Sequence, residues 1–119
     1  MEDWMKDALK KAGVDVERTI QRFMGNEALF MKFLIRFPED ENFSQIKPSL
    51  DQNDFDAALT AAHTLKGVSG NLGIMSVFDI CSEMVALIRK EEFDKAKQTY
   101  GKLEAAYQEV CRIIVQSRE

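Results

Sequence analysis

Along most of the chain apolar residues recur at alternating steps of three and four, and the strict alternation of a strand is nearly absent. The last segment shows it best. Phe93, Ala96, Tyr100, Leu103, Tyr107, Val110 and Ile114 make one stripe on a helix with a single buried face. Ile74, Val77, Phe78, Cys81, Met84, Val85 and Ile88 repeat the pattern one segment earlier, and Phe55, Ala58, Leu59, Ala62, Leu65 and Leu72 do so before that. The spacing predicts three consecutive amphipathic helices, at about 54–71, 74–90 and 93–116.

Upstream the pattern is broken. Phe30, Phe33 and Phe37 share a face, whereas Phe43, Ile46 and Leu50 are out of phase with them by one residue, and Pro38 lies between the sets. A proline inside a helix removes a hydrogen bond and clashes with the preceding turn, so a kink or interruption is expected within "FPEDEN" of one long arm, about 26–51. Gly13 and Gly25 read as C-terminal caps, with Asp15 and Asn26 as N-caps of the next helices. They delimit two short helices, about 2–12 and 15–24. Short connections favour antiparallel neighbours, so the expected fold is all-α: an antiparallel up-down-up-down four-helix bundle, one end covered by the two short N-terminal helices. The starts "NDFDAALTAAH" and "EEFDKAKQTYG" resemble each other, and the alignment sets His63 opposite Gly101.

Composition narrows the class. A chain of 119 residues, 45% hydrophobic and 30% charged, suits a single domain, 1–119, with one core. A net charge of −4 gathers neither nucleic acid nor anionic lipid, so neither is an expected partner. No apolar run has the length of a membrane span or the form of a signal peptide, and a cytoplasmic, free-standing monomer is expected. Cys81 and Cys111 are too few and too far apart for a zinc motif and read as buried free thiols. Trp4 belongs to the first short helix, closing the bundle end or half exposed.

The candidate chemistry sits in "AAHTLKGVSGNLG", residues 61–73, which holds the only histidine and three of the six glycines. At about 100° per residue, Lys66 lies about 60° to one side of His63, Gly67 about 40° to the other and Gly70 about 20° away. All four share a face bordering the core stripe, which puts the imidazole at the core's rim and partly in solvent. A glycine inside a helix costs about 1 kcal/mol relative to alanine, so Gly67 and Gly70 need a reason. Either another helix packs closely there, or a partner must reach the histidine without a side chain in the way. Partner access is the role assigned to both. Gly73 reads as a left-handed helix end.

Few reactions suit one imidazole beside one lysine. No orienting acid and nucleophile stand next to His63 as a hydrolytic triad needs, and the carboxylates fall mainly at helix starts and solvent faces rather than buried in a cleft. "GVSGNLG" lacks the ending and the preceding strand of a phosphate-binding loop, and ligands for a metal are scarce. Attack by His63 on a phosphoryl group delivered by another protein does fit. A reference pKa of ~6.5 supplies an unprotonated ring nitrogen near neutral pH. Lys66 can neutralise the transferring oxygens.

"AHTLKGVSGNLG" resembles the signature of histidine-containing phosphotransfer (HPt) domains, close to A-H-x-L-K-G-x-[SA]-x-x-x-G, and Ala62, His63, Leu65, Lys66, Gly67, Ser69 and Gly73 all match. "GNEALFMKFLIRF" from Gly25 is similar to the opening of the family's preceding long helix. The resemblance implies a capped bundle of four antiparallel helices with His63 phosphorylated. It further implies phosphate exchange with aspartates of receiver domains on response regulators or hybrid histidine kinases, and a chain that binds neither ATP nor metal, the magnesium belonging to the receiver. The function expected is that of a phosphorelay intermediate, a phosphohistidine carrier without autonomous catalysis. Two other readings stand beside it: a helical interaction module of the same fold without phosphotransfer, and the phosphorylated N-terminal domain of a chemotaxis-type kinase.

Overall fold

The computed structural model describes residues 1–118, and among them regular structure is helical apart from one isolated antiparallel bridge. In chain order the helices are α1 (Asp3–Lys11), α2 (Val16–Arg22), α3 (Glu27–Leu34), α4 (Glu41–Asp51), α5 (Phe55–Asn71), α6 (Met75–Arg89) and α7 (Phe93–Gln116), with a 3-10 turn at Phe37–Glu39. None is long and apolar enough to cross a membrane.

Neighbours in sequence pack together: α4 against α5, α5 against α6, and α6 against α7. The ring closes where Phe43 of α4 stacks on Tyr107 of α7, centroids 3.8 Å apart and planes within 6°. Between them lies one core to which every helix contributes, including Leu9, Val16, Phe30, Ile46, Leu65, Met84 and Leu103. Its α5 wall is built of small residues, Ala58, Ala61, Ala62 and Ser69, which let α4 and α6 approach closely. Buried Ser69 donates its hydroxyl to the carbonyls of Leu65 and Lys66 and so needs no outside partner.

The arm expected over 26–51 is three elements. α3 already ends at Leu34, upstream of Pro38, and Pro38 is the second residue of the 3-10 turn that Phe37 opens. Asp40 then caps α4, its carboxylate accepting from the amides of Asn42 and Phe43. The carbonyls freed at the break find donors: Tyr107 Oη gives a 2.7 Å bond to Phe37, and the Arg118 guanidinium reaches Ile35. Phe33 also departs from expectation. Phe30 and Phe37 are buried, but Phe33 is 41% exposed, because within α3 the residues turned to the core are Phe30 and Leu34, four apart, which leaves Phe33 on the flank. Pro48 stands inside α4 without ending it.

The α2 end adds a residue to the expected cap. Met24 (φ 59°) and Gly25 (φ 76°) are both left-handed, and the Gly25 amide closes onto the Ile20 carbonyl at 2.9 Å. Met24 is consequently 92% exposed. Asn26 caps α3 through Leu29, whereas the Asp15 side chain makes no capping bond.

One junction positions the site. The turn between α1 and α2 is stitched to the corner between α5 and α6: Asp15 donates to Gly73, Met75 to Gly13, and Val14 bridges Ile74. Gly73 (φ +71°) ends α5, with Ile74 closing onto the Ser69 carbonyl at 2.9 Å. A side chain at Gly73 would be strained by that φ and would collide with the hydroxyl of buried Thr19. The two similar helix starts also meet. Phe55 and Phe93 stack at 3.9 Å, each two residues after a left-handed residue, Asn53 or Glu91.

Candidate functional site

α5 begins at Asp54, whose carboxylate accepts from the amide of Ala57, and runs as continuous helix through Asn71, so the 3.6-residue period carries unbroken past both internal glycines. The period sends Ala58, Ala62, Leu65 and Ser69 into the core and leaves His63, Thr64 and Gly67 exposed, with Lys66 and Gly70 half-buried at the edge. His63, Lys66, Gly67 and Gly70 therefore lie along one strip of the surface, two turns long.

Among the described residues the His63 side chain makes no hydrogen bond to the protein, so neither ring nitrogen is engaged by an internal donor or acceptor. No carboxylate there pairs with Lys66; its ammonium stands 5.6 Å from the centre of the Phe78 ring of α6. The strip thus offers a nucleophile and a cation, both uncommitted to internal ion pairs.

The two glycines differ. A Cβ built at Gly67 meets nothing within 4 Å, so the surface beside His63 is open. At Gly70 it would lie 3.0 Å from Phe78 Cδ2 and 3.2 Å from Cε2, tighter than ordinary contact. The missing side chain at Gly70 is where the Phe78 ring rests.

Beside the strip is a hollow lined by Lys66, Gly67, Gly70 and Phe78 on one side and by Arg18, Thr19 and Arg22 of α2 on the other. Arg22 donates to the Gly70 carbonyl at 3.2 Å and to Thr19 Oγ1 at 3.3 Å, tying α2 to the end of α5. A second, more apolar groove runs between α2, α3 and α5, lined by Phe23, Phe33, Phe37, Val68 and Leu72. Sequence reasoning missed Arg18, Arg22 and Phe78 as neighbours of the strip. They come from other helices, and a single helix's periodicity holds no trace of them; the one available hint was a glycine lacking a local cause at position 70.

The thiols do not compete as nucleophiles. Burial pushes Cys81 up to about 12 and Cys111 up to about 11, so both stay protonated near neutral pH. Cys81 is fully buried and Cys111, expected buried, is partly exposed.

A family model described as Hpt domain matches residues 33–112, which include the whole of α4, α5 and α6 and hence the strip. No curated protein and no solved structure matches the chain.

Proposed function

Because the chain belongs to the Hpt domain family, whose members carry phosphoryl groups on histidine in two-component signalling, we propose that it is a phosphorelay intermediate. His63 accepts the group from a receiver domain's aspartyl phosphate and passes it to another receiver. The observation that carries this reading is the exposed, unengaged imidazole of His63 on a strip with Lys66 and an open Gly67.

The chemistry rests on those residues. A neutral ring nitrogen attacks phosphorus, a P–N bond forms as the P–O bond to the aspartate breaks, and the aspartate leaves as carboxylate. The ring's other nitrogen, free of internal partners, gives its proton to solvent. Charge gathers on the phosphoryl oxygens during transfer, and the Lys66 ammonium one turn away offsets it. Gly67 leaves the approach clear, and Gly70 lets the strip's edge stay low by receiving Phe78 from within. Return transfer uses the same atoms in reverse.

The fold suits a carrier of this kind. In our reading the chain is one domain whose four arms, 26–51, 54–71, 74–90 and 93–116, run up-down-up-down; the short turns and sequential packing of α4 to α7 support it. The partner supplies the remaining catalytic groups. A cytoplasmic monomer that meets receiver domains rather than nucleic acid or membrane agrees with a net charge of −4.

The test is a three-component relay. Labelled phosphate on one receiver should reach a second receiver only when this chain is present, and not when it carries His63→Gln. A folded chain that binds receivers yet moves no phosphate would favour the non-phosphorylating module.

A further inference from the structure

A lysine on a helix surface is ordinarily loose, since fixing its long side chain costs much rotamer freedom. Helical side chains also lean toward the N-terminus. Lys66 nevertheless has a defined resting place, its ammonium 5.6 Å from the Phe78 ring centre, within the range of a cation–π attraction. Phe78 reaches it because Gly70, four residues after Lys66 and on the same face, has no Cβ; one would stand 3.0 Å from the ring edge. Lys66, Gly70 and Phe78 line one hollow together.

We infer that Phe78 is a positioning residue for phosphoryl transfer: its ring holds the Lys66 ammonium beside the His63 strip, and position 70 is glycine to admit that ring. This rests on the phosphocarrier reading above. In this role Phe78 acts only through Lys66. The attraction is weak enough to yield. A transferring phosphoryl group bears full negative charge and draws the ammonium off the ring, so the aromatic rest limits the conformations searched without trapping the cation.

Phe78→Leu keeps an apolar side chain and removes the π face, and Phe78→Tyr keeps both. Two readouts decide. In the NMR spectrum the Lys66 ε-methylene should be shifted by the ring current in the wild type and Phe78→Tyr, and not in Phe78→Leu. With a receiver domain charged by acetyl phosphate, Phe78→Leu should slow the arrival of phosphate on His63 about two- to fivefold, because the loosened lysine must then be ordered during each transfer. Phe78→Tyr should match the wild type, and Phe78→Leu should slow nothing further in a Lys66→Ala background. An equal slowing in that background, or an unshifted Lys66 methylene in the wild type, overturns the inference. An active wild type with Phe78→Leu unaffected overturns the role of Phe78 alone, whereas a wild type that takes no phosphate overturns the phosphocarrier reading and this role with it.

Discussion

Gly67 and Gly70 stand three residues apart on the same strip of α5, and their surroundings are opposite. Around Gly67 there is open space, while Gly70 is in contact with Phe78 of α6. Each forgoes about 1 kcal/mol of helix stability relative to alanine. At Gly70 the fold itself gives the reason, because a larger residue would push out the ring. At Gly67 nothing inside the molecule does, which agrees with the proposed approach of a receiver to His63.

Substitutions along α5 sharpen this contrast. His63→Gln should abolish phosphate uptake altogether while leaving the unfolding free energy within about 0.5 kcal/mol, since an exposed side chain without internal bonds contributes little packing. Gly73→Ala should be the most destabilising change on the helix, about 2–3 kcal/mol in urea unfolding, because it meets both a left-handed φ and Thr19. Gly67→Gln should slow transfer from a receiver about tenfold without loss of stability, as a side chain now fills the approach. The smallest effects divide the glycines most cleanly. Gly67→Ala should raise stability by about 0.5–1 kcal/mol, and Gly70→Ala should gain less or lose, since Phe78 must shift. Equal gains at both positions would erase the distinction.

Much of this was legible in the sequence, and the remainder has definite physical causes. The stripes of α5, α6 and α7 declare themselves because each helix buries one face for its whole length, and the position of His63 at the rim follows from the same arithmetic. The site strip is local to one helix, so the angles between His63, Lys66, Gly67 and Gly70 are fixed by the period alone. What depends on another element was hidden. Phe78 reads as one more member of the α6 stripe, yet it is half-buried and turned toward Lys66. The same holds for Arg22, which crosses from α2 to the Gly70 carbonyl. The break before α4 was visible as a one-residue phase slip about Pro38, but its upstream start was not. Pro38 drew attention to itself, whereas α3 stops at Leu34 and the exposed carbonyls are satisfied from α7 and the residues just after it, some seventy or more positions away along the chain. The end of α2 is similar: Gly25 is left-handed as its type suggests, but Met24 just before it is left-handed too, which a methionine does not announce.

The central claim is that His63 carries the phosphoryl group, and peptide mapping by mass after exposure to a phosphorylated receiver tests it most directly. The expected result is an acid-labile, alkali-stable phosphoryl group on the peptide containing His63, absent from His63→Gln. A folded chain that acquires none from competent receivers, or one whose label persists in His63→Gln, would contradict it.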